Sequence, residues 1–470
     1  MTTSFKPYPA SRDSGLPLLG AIPAHWEVSR NGSLFAQRNE TGFGELPILE
    51  VSLRTGVRVR DMDNGKRKQQ MADPEKYKRA VKGDIAYNMM RMWQGAVGVA
   101  PADGLVSPAY VVARPFPDME PRYFSYLFRT DAYKTEVDGY SRGIVKDRNR
   151  LYWQDFKRMS SCVPPFEEQK AIADYLDAQA VQVNRFIRNR RRLIGVLDEQ
   201  KQGIISRAVT RGLNPSVPLS ASGVDWLGDI PEHWQALKVK RVATINPSRT
   251  ESSEHRESDE LVCFLPMERV SVRGEVNTTE RRPARDVWEG YSYFCRGDVV
   301  LAKITPCFEN GKGAELSGLP TEIGFGTTEF IVLRPSERVS AAFLHRLTCL
   351  ETFRLLGKEC MTGAAGQQRI PLDFVGNFLV PVPPRDEQDR ITLAVTETVA
   401  EYEEAMTAAQ REIDLIREYH TRLVSDVVTG KVDVRGLAST EPLDDELAES
   451  LLDDEALIDE EPEPIEEPEG

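Results

Sequence analysis

The sequence predicts an α/β fold built twice: two similar α/β domains, each followed by a long helix, with the helices pairing antiparallel as a coiled-coil spacer in a pseudo-two-fold internal repeat. Two recurring blocks and one change of hydrophobic period predict it. GLPLLGAIPAHW over residues 15–26 returns as GVDWLGDIPEHW over 223–234, and VPPFEEQ over 163–169 returns as VPPRDEQ over 382–388. Self-similarity at a spacing of roughly two hundred residues marks a domain and its connector built twice, since solenoid repeats are far shorter.

Within each half the elements follow the same order. Behind the IPxHW block, strand signals in the first half are residues 47–53, 84–87 and 109–113; in the second they are 261–265, 298–302 and 329–333. Each is a β-branched or aromatic run bounded by Gly, Pro or charged residues. Lys82-Gly-Asp-Ile85 matches Arg296-Gly-Asp-Val299, and residues 110–115 (YVVARP) match 330–335 (FIVLRP). Helix-like stretches follow at 122–128 and 341–347.

After VPPxxEQ the period becomes helical for about forty residues. Ile172, Leu176, Gln179, Val183, Phe186, Arg190, Leu193, Leu197 and Ile204 keep a three-four spacing. So do Val395, Val399, Tyr402, Met406, Ala409, Ile413, Ile416, Leu423 and Val427. Such a seam needs a partner, and the other copy is the obvious one. Gln179, Arg190 and Glu412 interrupt the apolar stripes and are expected to set register. Gly195 and Gly203 weaken the first helix toward its end. The expected boundaries are a domain at 15–162, a helix at 163–210, a linker at 211–222, a domain at 223–381, a helix at 382–436 and a disordered acidic tail at 437–470.

The chain has 470 residues, 40% of them hydrophobic, enough for several buried cores. No apolar run approaches a membrane span, and the expected location is cytoplasmic. The six cysteines form no CxxC pair or zinc spacing. The net charge of −13 conceals its distribution: residues 441–470 carry fifteen acids and no Lys or Arg, and without them the charge becomes +2. Ten basic residues fall between Arg54 and Lys82 against four acids. A polyanion senses that distribution rather than the sum.

The duplicated order of IPxHW, variable domain, PPxxEQ and long helix over residues 15–436 resembles the specificity subunit of type I restriction-modification systems. The resemblance implies two target recognition domains, each reading half of a bipartite, asymmetric sequence in double-stranded DNA. It implies helices that space the half-sites and dock two modification methyltransferase subunits, with restriction motor-nuclease subunits beyond them. No cofactor is expected on this chain: S-adenosylmethionine, Mg and ATP belong to those partners. The acidic tail is not required by the family pattern.

The residues carry no catalytic constellation of their own. His25-Trp26 and His233-Trp234 lack a neighbouring nucleophile or carboxylate pair, so a packing role is expected. Pro164-Pro-Phe166 has Val163 where an amino-methyltransferase needs a polar acceptor, and Arg385 replaces the aromatic in the second copy. Two prolines ahead of Glu168 or Glu387 suit a helix start instead. Gly83-Asp84 and Gly297-Asp298 read as turns before strands rather than nuclease carboxylates.

DNA contacts are expected from three groups. Arg67, Lys68 and Gln69 lie in the first basic run, and Arg281 and Arg282 in the second half. The third group is a pair of glycine-containing loops ahead of each VPP block, with Arg142, Lys146, Arg148 and Arg150 in one copy and Gln367, Gln368 and Arg369 in the other. Arg suits guanine edges, Gln suits adenine edges, and Lys and Arg hold phosphates. The rival readings are a coiled-coil scaffold without a DNA role and, further off, a self-contained methyltransferase or nuclease.

Overall fold

The computed structural model describes residues 6–16, 19–53, 55–60, 73–143, 149–364 and 366–437. The expected tail beyond 437 lies outside them. Among the described residues the α-helices of eight residues or more are α1 (Pro121–Phe128), α2 (Asp131–Tyr140), α3 (Phe166–Arg211), α4 (Ala341–Thr348), α5 (Glu351–Glu359) and α6 (Arg385–Val428). Two compact units divide it, one of Met1–Arg191 with Gln410–Gly470 and one of Arg192–Ala409. The division cuts across α3 and α6, not at their starts.

The first unit centres on a four-stranded antiparallel sheet in the order Phe35–Arg38, Tyr110–Pro115, Ile85–Asn88, Val97–Val99. The second unit repeats it as Ala243–Ile245, Phe330–Pro335, Val299–Ala302, Gly313–Glu315. Ile85–Asn88 and Val299–Ala302 are buried at every position, which is why they read as continuous runs rather than alternating ones. Gly83 and Gly297, at φ +91° and +88°, make the turns that enter these strands. The following carboxylates close the turns: Asp84 accepts the Val81 N–H at 2.9 Å and Asp298 the Cys295 N–H at 2.7 Å. Each also holds an arginine, Arg38 in one unit and Arg334 in the other, supplied by different strands.

In both units the first and last strands of the domain pair. Glu27–Arg30 lies antiparallel to Ser160–Val163, and Gln235–Lys238 to Leu379–Val382. This corrects the expected helix starts at 163 and 382. Val163 and Val382 finish strands, two prolines turn the chain, and the helices begin at Phe166 and Arg385. The units differ where the second adds a sheet of Arg281–Pro283, Leu261–Leu265, Ile323–Gly326 and Ser292–Cys295. The first has the hairpin Leu49–Ser52 with Gly56–Val59. Residues 219–221, inside the stretch expected as linker, pair with Asp229–Pro231, as Ser11–Asp13 pairs with Ala21–Pro23.

The long helices have 46 and 44 residues, so each is about 65–70 Å long at 1.5 Å per residue. Helix α3 runs through Gly195 and Gly203 without interruption. In the first unit Ile172 and Leu176 share a core with Leu423 and Val427, while Arg190 meets Glu412 at 2.6 Å. In the second Ile205, Ala208 and Val209 share one with Ile391, Val395 and Val399. Each unit therefore contains an antiparallel helix pair.

On α6 the expected seam is buried at Val395, Val399, Met406, Ala409, Ile413, Leu423 and Val427, with Tyr402 and Ile416 half-buried. On α3 the expectation holds only through Val183. Beyond it Ile187 is buried while Phe186 is half-buried, Leu193 is 38% exposed, Leu197 is half-buried, and Ile205 replaces Ile204. The apolar spacing misleads there because charged side chains occupy the seam. Arg190 stacks on Phe186 at 4.9 Å as it pairs with Glu412, and Lys201 pairs with Asp198 at 2.8 Å.

The shifted seam makes a direct prediction. Leu176→Ala, at a fully buried site, should lower the unfolding free energy by about 2–5 kcal/mol, whereas Leu193→Ala should cost under about 1 kcal/mol. Equal losses in denaturant titrations would return Leu193 to the seam.

Candidate nucleic-acid interface

The two recurring blocks meet in space, and their meeting frames everything the domains present. In the first unit the Glu168 carboxylate is buried where α3 begins and takes the Trp26 Nε1–H at 2.9 Å, the Tyr8 hydroxyl at 2.7 Å and the His25 ring at 2.8 Å. In the second unit Glu387 takes the Trp234 Nε1–H at 3.1 Å and the His233 ring at 2.8 Å. The neighbouring glutamine completes each joint. Gln169 accepts the Glu120 N–H and donates to the Pro164 carbonyl; Gln388 accepts the Ser340 N–H and donates to the Pro383 and Arg338 carbonyls. Glu120 and Ser340 are the N-caps of α1 and α4. One acid–amide pair thus ties a long helix to its domain's first strand and first helix.

The far ends of the long helices seat on the same tryptophans. Gly430, after α6, lies against Pro23 and Trp26; Gly212, after α3, lies against Trp234 and Glu387. Both glycines are left-handed at φ +75°, and at Gly430 a Cβ would come within 2.2 Å of Pro23. His25 and His233 are therefore clamp residues, and no nucleophile is set beside them. The sequence shows the acids only as helix-start residues; their burial against an indole 142 and 153 positions away is a tertiary fact.

With this frame fixed, each domain offers one pinched hairpin after its second helix. In the first unit Arg142 and Arg150 exchange backbone hydrogen bonds of 3.0 Å in each direction. In the second unit Thr362 and Arg369 do the same at 3.0 and 2.8 Å. The paired loops quoted from the sequence are thus equivalent elements. Their bases are anchored by ion pairs. The Arg142 guanidinium meets the buried Asp155 carboxylate at 2.5 Å. Arg369 bonds Glu329 through three contacts of 2.8–3.3 Å and holds its carboxyl below the usual range.

The remaining candidates divide by location. Lys146 and Arg148, between Arg142 and Arg150 in the sequence, and Arg67, Lys68 and Gln69 of the first basic run all lie outside the described residues. Gln367 is exposed, while Gln368 is half-buried and exchanges hydrogen bonds with Thr305 at 2.9 and 3.0 Å. Arg281 and Arg282 sit on the edge strand of the added sheet. Arg281 bonds the Thr278 carbonyl at 2.7 Å, and Arg282 pairs with Glu280 at 2.8 Å and stacks on Phe264 at 3.7 Å. Tyr140 and Tyr152, 39% and 43% exposed, flank the first hairpin. Nothing local in the sequence sets Tyr152 apart from neighbouring Trp153 as an exposed aromatic.

Among the described residues no group of three or more His, Cys, Asp or Glu could hold a metal, and no helix is long and apolar enough to cross a membrane. The arrangement suits a polyanion: exposed amide and guanidinium donors on stiff hairpins carried by two copies of one scaffold.

No family model matches the chain. Over 236 residues, 49% of its length, it is 34% identical to the Escherichia coli type I restriction enzyme EcoAI specificity subunit, covering 39% of that protein. Over 165 residues it is 37% identical to the E. coli EcoEI specificity subunit, covering 27% of it. It therefore spans well under half of both relatives. To the Methanocaldococcus jannaschii type I restriction enzyme MjaVIII specificity subunit it is 25% identical over 290 residues, 60% of this chain and 64% of the other. A chain from a solved structure concerned with assembly and conformational transition of the type I R-M system shares its fold at TM-score 0.63 and 14% identity, with 87% of this chain and 99% of that one covered.

The clamp can be tested without any ligand. Glu168→Gln keeps the shape but turns one acceptor into a donor facing buried donors, and should destabilise the first unit by about 1–3 kcal/mol. Denaturant unfolding followed by tryptophan fluorescence should register it; an unchanged midpoint would remove the clamp from the account.

Proposed function

We infer, for a chain that belongs with the type I restriction specificity subunits by sequence kinship and fold, that it is the non-catalytic DNA-reading subunit of a type I restriction-modification complex. Each unit reads one half of a bipartite, asymmetric sequence in double-stranded DNA. The observation that carries this reading is the pair of equivalent hairpins, alike in position and pinching yet unlike in sequence: Arg142 to Arg150 on one side, Thr362 to Arg369 on the other. Two readers that share a scaffold and differ at the tip suit two different half-sites.

Phosphate neutralisation by Lys and Arg supplies the sequence-independent part of binding and makes it salt-dependent. Base-edge contacts supply the discrimination, with Gln suited to adenine and Arg to guanine. The long helices carry the spacing and docking roles: two modification methyltransferase subunits, which bring S-adenosylmethionine to adenine, and the restriction subunits with their Mg and ATP chemistry. This chain binds none of those cofactors and works in the cytoplasm.

The decisive experiment is the adenine methylome of the native host with and without the gene. Loss of one bipartite, asymmetric motif on deletion is expected. An unchanged methylome with the partner subunits expressed would leave the coiled-coil scaffold as the better reading. At finer grain, Gln367→Ala or Arg369→Ala should relax one half-site by about 1–3 kcal/mol of discrimination and leave the other intact; relaxation of both, or of neither, would clear the second hairpin of a reading role.

A further inference from the structure

The second unit contains a polar pair that neither the clamp nor the hairpin uses. Helix α4 presents His345, 8% exposed, and one turn later the partly exposed Cys349 that caps the helix. The His345 Nε2 and Cys349 Sγ are 3.4 Å apart. The imidazole is oriented from its other side by a hydrogen bond with the backbone of Gly313. Its ring lies against Gly274, a left-handed glycine at φ +83°, where a Cβ would come within 2.7 Å of Cε1. Thiol, ring and orienting backbone group form the arrangement that activates a sulfur nucleophile.

The charges around the pair act in the same direction. Burial alone would push the Cys349 thiol up, but His345, with Arg346 on α4 and Arg354 on α5, offsets that and leaves it below the ordinary thiol value. Burial likewise opposes the imidazolium, and Cys349 raises it despite the repulsion of Arg346. Cys162, Cys263 and Cys295, by contrast, are all pushed up by burial.

We propose that Cys349, paired with His345, is a thiol-modification site whose reactant is a peroxide. The thiolate sulfur attacks one peroxide oxygen, an S–O bond forms and the O–O bond breaks. The departing hydroxide takes a proton from the imidazolium and leaves as water. Sulfur is oxidised to the sulfenic acid and the peroxide is reduced, so atoms and electrons balance. Because Cys349 sits at the junction of α4 and α5, and α5 runs directly into the second hairpin, the added oxygen falls beside the support of one reader only. The reactivity itself does not depend on the DNA-reading assignment.

The test treats the purified full-length chain with hydrogen peroxide in the presence of dimedone and maps the adducts by mass spectrometry. Cys360, which is exposed, is the internal comparator. Cys349 should be labelled several-fold faster than Cys360 near neutral pH, because the paired imidazole favours its thiolate. His345→Gln should remove the advantage without changing Cys360. Gly274→Ala, which displaces the ring while leaving both reacting side chains, should do the same and decides the matter where His345→Gln fails to fold. Labelling of Cys349 no faster than Cys360, or an advantage that survives displacement of the ring, would overturn the proposal and leave the pair as a packing contact.

Discussion

A carboxylate at the start of each long helix, buried at Glu168 and half-buried at Glu387, is the constraint on which the rest of this chain depends. Glu168 and Glu387 each face an indole N–H and an imidazole, and in the first unit a tyrosine hydroxyl as well. Withdrawing a carboxylate from water is costly unless its acceptor sites are filled, so the acid fixes the directions from which strand, helix and N-terminal segment can arrive. The adjacent glutamine repeats the logic with backbone groups, and its carbonyl is spent on the N-cap residue of the domain's first helix. Each donor finds an acceptor, with one Glu168 oxygen taking both Tyr8 and Trp26 and the Trp234 N–H shared between Glu387 and His233, and for that reason the joint is specific rather than merely sticky.

The helix pairs are specified differently at their ends and along their middle. Where Leu176 meets Leu423 and Val427, or Ile205 shares a core with Val395 and Val399, apolar burial does the work. Between these patches the seam carries Arg190 with Glu412 and Lys201 with Glu403, at 2.6 and 4.0 Å. Such pairs add little net stability. They do penalise a slip along the helix axis, because a one-turn shift would set Arg190 against Ala409 or Ile416 in place of Glu412. A long helix pair that must hold one register gains more from a few such pairs than from a continuous greasy stripe.

The legibility of these features in the sequence follows from how far apart their parts lie. The duplication, the Gly-Asp turns and the central strands depend on neighbours within a few residues, and they could be read directly. The α6 seam was legible because its apolar positions are the buried ones; on α3 the reading slipped at Phe186, which is half-buried under Arg190 while neighbouring Ile187 takes the buried place. The clamp was visible only as two recurring motifs. Nothing local to Glu168 says that its partners are Tyr8, His25 and Trp26. The pinched hairpins were legible as places but not as chemistry: the sequence offers Arg142 and Arg369 as free cations, whereas each guanidinium already holds a carboxylate.

Those engaged arginines bear on how such a hairpin, in the proposed reading of DNA, would stay ready. A loop that must present donors to a base edge loses affinity to the ordering of its own backbone unless something has fixed it beforehand. A backbone bridge across each hairpin supplies part of that order, and an arginine–carboxylate pair at its base supplies the rest. The arginine comes from the entry strand in the first unit and from the exit strand in the second, with acids from unrelated elements. Two copies of one scaffold have thus reached the same mechanical solution by different residues. Divergence at the hairpins is constrained by the need for a stiff base, and the freedom lies at the tips, where exposed Gln367 carries no such anchor.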